Sequence, residues 1–367
     1  CVSALHQEDT SWWTKKTHTP MATLRPTNKV STNHKACIHH IAHDYYGKRV
    51  ATCSSDKSIK VFEKDDEGNW HPICQSFGFP GHRAAIWKVD WAHPEFGQVL
   101  ASCSDDRTVI IWKEKEMGGT GQQGSDKMQY VLAAKLTDFT KGVSSIAFGP
   151  SHLGLQIASA CNDGKVRIHQ GRATDLSKWD LKSEFEPEGS GIGAYVTCLS
   201  WRQNRAEKPM LVVGCWRATA APDLNGTRPV SSSVTVWALH AERWAQVAKL
   251  DIESVGKGVG SEVRDVDWAP CMGRPNYFIA AAVGSTVQVW RLDPTRLQVS
   301  AGHVEKPTSV LSAQSDALPS VNMAFWRVSW NLTGTSLAAS AENGQVKMWK
   351  LDFQGNLKQH LSLEPQA

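Results

Sequence analysis

The feature that most constrains this chain is a short unit that recurs along it. The clearest copy spans residues 86–112, with one apolar segment ending at Trp91, a small-residue segment at 99–104, a turn at Asp105 and Asp106, and an alternating segment ending at Trp112. Five further copies close on an aromatic residue or its substitute: Phe62, His169, Trp237, Trp290 and Trp349. Self-similarity at such a period is typical of repeat architectures, so the sequence predicts six structural repeats.

The chemistry of each unit predicts four short antiparallel strands. The small second segment lets neighbouring sheets approach, the Asp or Asn after it bonds nearby backbone in a tight turn, and the third segment alternates with period two. A looser fourth segment follows, as at 130–136, 244–250 and 357–363. Radial four-stranded blades limit exposed sheet edges, so we predict an all-β, six-bladed β-propeller of the WD-repeat type. Most of the sixteen Trp residues then pack between blades.

The count of predicted strands indicates that the ring is open. The first strand-like segment, 37–43, already belongs to the first unit, and the last unit supplies its own fourth strand at 357–363. With no segment left over as a clasp, the first and sixth blades would flank a gap that invites a partner's strand or blade. We predict partner-binding residues on the two edges: Ile38, Ile41, Val328, Trp330, Leu337 and Trp349. The alternative is a ring closed by direct packing.

The domain organisation follows from the same pattern. Residues 1–35 show no strand or helix period and are predicted to be a flexible or non-native leader, and residues 36–367 are predicted to form the propeller. Met21 is a plausible natural start, so residues 1–20 are excluded from the fold prediction. An open ring also predicts that the isolated protein is poorly soluble or oligomeric, because the gap exposes apolar edges.

Composition excludes several function classes. The net charge is +4 with interleaved acidic and basic residues, which gives no broad field for nucleic acid or anionic membrane. Nothing approaches a membrane-spanning apolar run. None of the nine Cys forms a C-x-x-C pair, so we predict buried reduced thiols, which indicates the cytosol or nucleus, and no metal or cofactor. Hydrolase and nucleotide-binding signatures are absent, and we predict no catalytic residues.

A few residues still invite a functional interpretation. His39, His40 and His43 cluster, but a metal site needs three or four convergent ligands and the alternation separates His40 from the others. Lys88 and Arg327 hold equivalent places in two units, where they would line the central channel, face the partner or be solvated at a strand edge.

Several stretches resemble one family within the WD-repeat class, the Seh nucleoporins (Sec-thirteen homologues). They are Trp-Ala-His-Pro-Glu-Phe-Gly-Gln-Val-Leu-Ala-Ser-Cys-Ser at 91–104, Val-Ala-Thr-Cys-Ser-Ser-Asp at 50–56, Leu-Ser-Lys-Trp at 176–179, Met-Gly-Arg-Pro at 272–275 and Trp-Arg-Val-Ser-Trp-Asn-Leu-Thr-Gly-Thr at 326–335. The resemblance covers about residues 36–365 and includes turn residues that generic WD repeats do not share.

This resemblance implies an open six-bladed propeller. It implies that a Nup-eighty-five-type α-solenoid nucleoporin inserts a seventh blade, within the Y-shaped outer-ring complex of the nuclear pore. It also implies a second role in the GATOR/SEA nutrient-signalling complex at the vacuole or lysosome. The leader, a polar insertion at 217–233, His169 and His43 depart from the family pattern.

Three function classes therefore compete. A non-catalytic scaffold at the nuclear pore is the leading hypothesis. An adaptor that reads peptides on the propeller face, as in ubiquitin ligases or chromatin proteins, needs a closed ring with a free channel mouth. An enzyme needs convergent polar catalytic groups, and the sequence shows none.

Overall fold

The computed structural model describes residues 30–74, 81–117, 127–187, 194–204, 208–218, 230–250, 252, 262–271, 273–294, 309–313, 323–352 and 355–363. These residues form six four-stranded sheets, and each sheet is an antiparallel meander of four consecutive strands. The predicted all-β, six-bladed β-propeller is therefore confirmed. Among the described residues, no helix is long and apolar enough to cross a membrane.

The first three blades have the following strands. Blade one contains β1 (Ile38–His43), β2 (Arg49–Ser54), β3 (Ile59–Lys64) and β4 (Trp70–Cys74). Blade two contains β5 (Ile86–Trp91), β6 (Val99–Ser104), β7 (Thr108–Met117) and β8 (Lys127–Leu136). Blade three contains β9 (Val143–Phe148), β10 (Gln156–Cys161), β11 (Val166–Arg172) and β12 (Asp175–Phe185). Single 3-10 turns, Pro94–Phe96 and Ser151–Leu153, connect the first two strands of blades two and three.

The last three blades repeat this order. Blade four contains β13 (Ala194–Trp201), β14 (Met210–Ala218), β15 (Val230–His240) and β16 (Arg243–Leu250). Blade five contains β17 (Val263–Trp268), β18 (Tyr277–Val283), β19 (Thr286–Leu292) and β20 (Ser309–Ala313). Blade six contains β21 (Phe325–Trp330), β22 (Ser336–Ala341), β23 (Val346–Leu351) and β24 (Leu357–Leu363), the last with the predicted bounds.

A bulge near the start of the first strand recurs and changes which residues share a face. In β1 the register shifts between Ile38 and His40, and β5 shifts in the same way between Ile86 and Lys88. The bulge breaks the simple alternation predicted for the His cluster. His39 packs against Trp87 with ring centroids 4.4 Å apart, while Ile38 and Ile41 are exposed.

One local prediction needs correction, and one segment of the family resemblance lies within a strand. The polar insertion at 217–233 is partly strand, because β14 continues to Ala218 and β15 begins at Val230, leaving residues 219–229 outside the described part of the chain. The Leu-Ser-Lys-Trp segment lies within the outermost strand of blade three, where the Trp179 indole N–H donates to the Leu176 carbonyl at 2.9 Å.

The apolar core lies between the blades. Five clusters of buried side chains are found, and each joins two consecutive blades, from the first and second to the fifth and sixth. The second strands that these clusters enclose, β6, β10 and β18, are buried at every position because a neighbouring blade covers each face.

Candidate partner interface

The sixth blade-to-blade contact differs from the other five. No cluster of buried apolar side chains among the described residues joins blade six to blade one. The innermost strands β1 and β5 pack together, as do the four later consecutive pairs, but β21 and β1 show no comparable packing. Within the part of the chain that the structure describes, the ring is therefore open between its first and last blades.

The open contact leaves two isoleucines of blade one exposed to solvent. Ile38 is 40% exposed and Ile41 is 54% exposed. The strand registers place Ile41 at the same position as one residue in each other blade, and none of these is more than 5% exposed: Val89, Ile146, Leu199, Val266 and Val328. In those five blades the position packs against the preceding blade, and blade one has no preceding blade.

Polar residues replace apolar ones on the same face of blade one. The registers place His43 where blade two has Trp91, and Lys60 where blade two has Ile110. The Lys60 ammonium donates to the carbonyls of Thr32 at 2.7 Å and Asn33 at 2.6 Å, which compensates for its position in a strand. We call this side of blade one the first gap face. On it Ile38, Ile41 and His43 are exposed, Val50 and Trp70 are half-buried, and Lys60 and Phe62 are buried.

Blade six exposes its opposite face. In blade two, the residues that face blade three are buried: Val99, Ala101, Cys103, Val109 and Ile111. Their register equivalents in blade six are all half-buried: Ser336, Ala338, Ser340, Val346 and Met348. With Ser329 they form what we call the sixth gap face. Ser336 and Ser340 are polar where blade two has Val99 and Cys103, and this difference between repeats is a sequence signal for the exposed face.

The structure separates the six predicted partner-binding residues into two groups. Ile38 and Ile41 lie on the first gap face. Val328, Trp330, Leu337 and Trp349 are buried in the cluster that joins blade six to blade five. The assignment of these four to the gap edge is therefore wrong: Val328 is the equivalent of Ile41, and in blade six this position faces blade five. Partner contact by Ile38 and Ile41 stays a prediction.

The innermost strands of all six blades line a central cavity of about 1300 Å³. Of the alternatives left open by the sequence, the structure places Lys88 and Arg327 in this channel. The Arg327 guanidinium donates to the His39 carbonyl at 3.2 and 3.3 Å and lies 3.6 Å from a carboxylate oxygen of Asp265. Burial and the nearby Arg327 charge both lower the pKa of His39. Arg327 thus links blade six to blade one from the channel side.

Two half-buried carboxyls that line the central channel connect neighbouring blades. Asp90 in blade two accepts the Phe148 backbone N–H at 2.7 Å, and Asp267 in blade five accepts the Trp330 backbone N–H at 2.8 Å. Burial raises the pKa of each carboxyl to about 6, against the hydrogen bonds, which favour the charged form. These groups join blades and do not converge on a common ligand.

Four side chains of blade two form a hydrogen-bonded network, which we call the polar tetrad. His82 lies 3.0 Å from Asp106 and 2.7 Å from the Ser102 hydroxyl, which also accepts the Trp112 indole N–H at 2.8 Å. Burial would raise the pKa of Asp106, but hydrogen bonds from His82 and Thr108 outweigh it and lower the pKa. His34, Asp56 and Thr52 repeat the first three members in blade one, where Phe62 takes the place of Trp112.

The contacts of the remaining histidines and cysteines are those of residues that stabilise the fold. Among the described residues, no three His, Cys, Asp or Glu side chains are grouped as metal ligands, and the cysteines are free thiols. Burial raises the pKa of the Cys53 and Cys198 thiols to about 12, which keeps them protonated. His169, in place of a closing aromatic, is buried and lies 3.0 Å from an Asp138 carboxylate oxygen.

Six four-stranded blades, the first two with a His–Asp–hydroxyl network, define a WD-repeat β-propeller. The family model for the WD domain, G-beta repeat, matches residues 26–63, 73–113 and 131–170, which correspond to the first three blades. Curated relatives match far more of the chain.

Nucleoporin SEH1-A of Xenopus laevis is 35% identical over 333 residues, which cover 90% of this chain and 86% of that protein. Nucleoporin SEH1 of Homo sapiens is 34% identical over the same shares, and that of Danio rerio is 34% identical over 90% of this chain and 85% of that protein. The chain belongs to the SEH1 nucleoporin family. Membership confirms the resemblance and supports a nucleoporin scaffold role.

Proposed function

We propose that the protein is a structural component of the nuclear pore outer ring, at the nuclear envelope, and supports protein and mRNA transport. In this proposal it binds a Nup-eighty-five-type α-solenoid nucleoporin of the Y-complex, which inserts a seventh blade between blades six and one. The supporting observation is the exposure of Ile38 and Ile41 at positions that are buried in the other five blades.

The shape of the gap favours a blade as the occupant. Each of the five closed contacts in this ring is formed by two sheet faces whose small and branched side chains interlock. The first and sixth gap faces have the same strand registers as those faces. A four-stranded sheet from another chain would supply to each the neighbour that it lacks.

The experiment is a co-purification of the full chain with the Nup-eighty-five-type nucleoporin of the same species. Ile41→Arg puts a charge into the proposed contact and is expected to abolish co-purification. Leu181→Arg is the matched control, because Leu181 is similarly exposed but lies on β12 of blade three. Equal binding by both variants and the wild type would contradict insertion at the gap.

The same design tests the remaining alternatives. Mass spectrometry of material bound from native extract reports whether Y-complex subunits or GATOR/SEA subunits accompany the chain, the latter indicating a role at the vacuole or lysosome. Recovery of ubiquitin-ligase subunits or histone tails alone, insensitive to Ile41→Arg, would favour the peptide-reading adaptor.

A further inference from the structure

In every blade, the innermost strand ends in an aromatic residue or His43, and the residue just before it accepts a hydrogen bond wherever the next blade is packed against it. We call it the acceptor position, and it is occupied in blade order by Ala42, Asp90, Ala147, Ser200, Asp267 and Ser329. The next residue is the aromatic position: His43, Trp91, Phe148, Trp201, Trp268 and Trp330. At every closed contact, an N–H of the aromatic-position residue bonds the acceptor-position residue of the preceding blade.

Three of these bonds use a polar side chain as acceptor and a backbone N–H as donor. Asp90 accepts from Phe148 at 2.7 Å, and Asp267 accepts from Trp330 at 2.8 Å. The Ser200 hydroxyl accepts from the Trp268 backbone N–H at 3.2 Å.

The other two bonds occur where the acceptor position is alanine. The Trp91 indole N–H donates to the Ala42 carbonyl at 3.1 Å. The Trp201 indole N–H donates to the Ala147 carbonyl at 3.0 Å. All five closed contacts therefore follow the rule, with either a side chain or a carbonyl as acceptor.

At the open contact, blade six has an acceptor-position residue and blade one has an aromatic-position residue, but the two do not bond each other. Ser329 is the acceptor position of blade six and is exposed, and its hydroxyl contacts the Trp330 carbonyl at 3.5 Å, the long limit of a hydrogen bond. His43 is the aromatic position of blade one and is also exposed, with its ring 6.2 Å from that of Trp70. The side chain on the sixth gap face can accept an N–H, and the side chain on the first gap face can donate one.

We infer that Ser329 and His43 are the hydrogen-bonding residues that recognise an inserted blade. Ser329 accepts the backbone N–H of the residue that ends the partner's innermost strand. His43 donates a ring N–H to the residue just before it. The partner strand must therefore have a residue other than proline at its aromatic position, because proline has no N–H. This inference rests on the proposed function and specifies how the gap selects its occupant.

Matched substitutions at open and closed contacts test this assignment. Ser329→Ala removes the unmatched acceptor, and Ser200→Ala removes the same acceptor from a closed contact. His43→Phe removes the donor at the open contact, and Trp91→Phe removes the donor at a closed contact. The measurements are the Kd for the full-length Nup-eighty-five-type nucleoporin by titration calorimetry, and the urea midpoint of each chain alone.

Ser329→Ala and His43→Phe are each expected to raise the Kd about threefold to tenfold and to leave the urea midpoint unchanged. Ser200→Ala and Trp91→Phe are expected to lower the midpoint and leave the Kd unchanged. Ser329→Asp, which copies the acceptor of blades two and five, is expected to retain binding, while the double variant Ser329→Ala with His43→Phe multiplies the two losses.

Two results would overturn the inference alone. One is wild-type binding by Ser329→Ala and His43→Phe, and the other is an equal loss of binding in Ser200→Ala. If the wild-type chain itself does not bind this nucleoporin, the proposed function fails and the inference fails with it.

Discussion

Blades one and two share a fold and a His–Asp–hydroxyl network but differ in how far their apolar residues are buried. His34 lies 2.9 Å from Asp56 and His82 lies 3.0 Å from Asp106, so the hydrogen bonds within the two blades are nearly the same. Ile38 is nevertheless 40% exposed, while its register equivalent Ile86 is almost fully buried. The hydrogen-bonded geometry of a blade is thus set within the blade, and its apolar stabilisation is set by the neighbour on each side.

The largest expected difference between these blades comes from truncating that matched isoleucine. Ile86→Ala leaves a cavity between two packed sheets and is expected to lower the free energy of unfolding by about 3 kcal/mol. Ile38→Ala in the isolated chain is expected to cost less than about 1 kcal/mol, because its side chain already contacts solvent. Urea denaturation measures both values. Equal losses would show that Ile38 is covered and that the ring is closed.

The His–Asp pairs of the two blades should instead lose similar amounts of stability when their carboxylates are removed. Asp56→Ala and Asp106→Ala each leave a histidine without its carboxylate, and we expect each to cost about 2 kcal/mol in the free energy of unfolding. Differential denaturation at pH 7 compares them, with Asp66→Ala on an exposed turn as the control. A cost confined to blade two would mean that a neighbouring blade is needed to maintain the tetrad.

A smaller effect concerns pH and the closed contact between blades five and six. Burial raises the pKa of Asp267 to about 6, above the value of about 4 in an unfolded chain, so the folded state binds more protons between these values. Its contribution to stability is therefore present below pH 4 and lost as the pH rises through 6. As the pH rises from 4 to 7, the free energy of unfolding of Asp267→Asn is expected to increase by about 2 kcal/mol relative to that of the wild type.

Denaturation series at pH 4, 5, 6 and 7 follow that difference. Asp56 and Asp106 have lowered pKa values, so their contribution has the opposite sign and is lost as the pH falls below about 4. Asp66→Asn serves as the control. A constant difference between Asp267→Asn and the wild type across the series would contradict the raised pKa.

The smallest effect is expected at the link across the open contact. Arg327→Gln removes charged hydrogen bonds to the His39 carbonyl, and its cost in the isolated chain is expected to be about 1 kcal/mol or less. Arg172→Gln, on the exposed edge of blade three, is the control for loss of charge. A loss above about 3 kcal/mol would show that Arg327, and not the five packed contacts, maintains the ring.

The sequence predicted the blades well because their pattern is local. The strand at 357–363, the small-residue second strands and the Asp turns depend on neighbours within one blade, and the structure matches them. Which face of a blade meets the gap is not a local property. Trp330 and Val328 were expected at the gap, but the direction of the ring places them against blade five.

Register comparison between repeats would have supplied part of the missing information. Lys60 and His43 replace Ile110 and Trp91, which shows that one face of blade one tolerates polar groups. The acceptor rule that identifies Ser329 was not accessible in this way, because two of its five bonds use backbone carbonyls that any residue provides.

Side-chain accessibility in the free and bound chain tests the open ring most directly. Hydroxyl-radical footprinting of the isolated chain is expected to oxidise Ile38, Ile41 and Met348, and to spare their equivalents Ile86, Val89 and Ile111. Addition of the Nup-eighty-five-type nucleoporin is expected to protect the first three residues and to leave the last three unchanged. If Ile41 and Met348 are as protected as Val89 and Ile111 in the isolated chain, blades one and six are already in contact and the account of an open ring is contradicted.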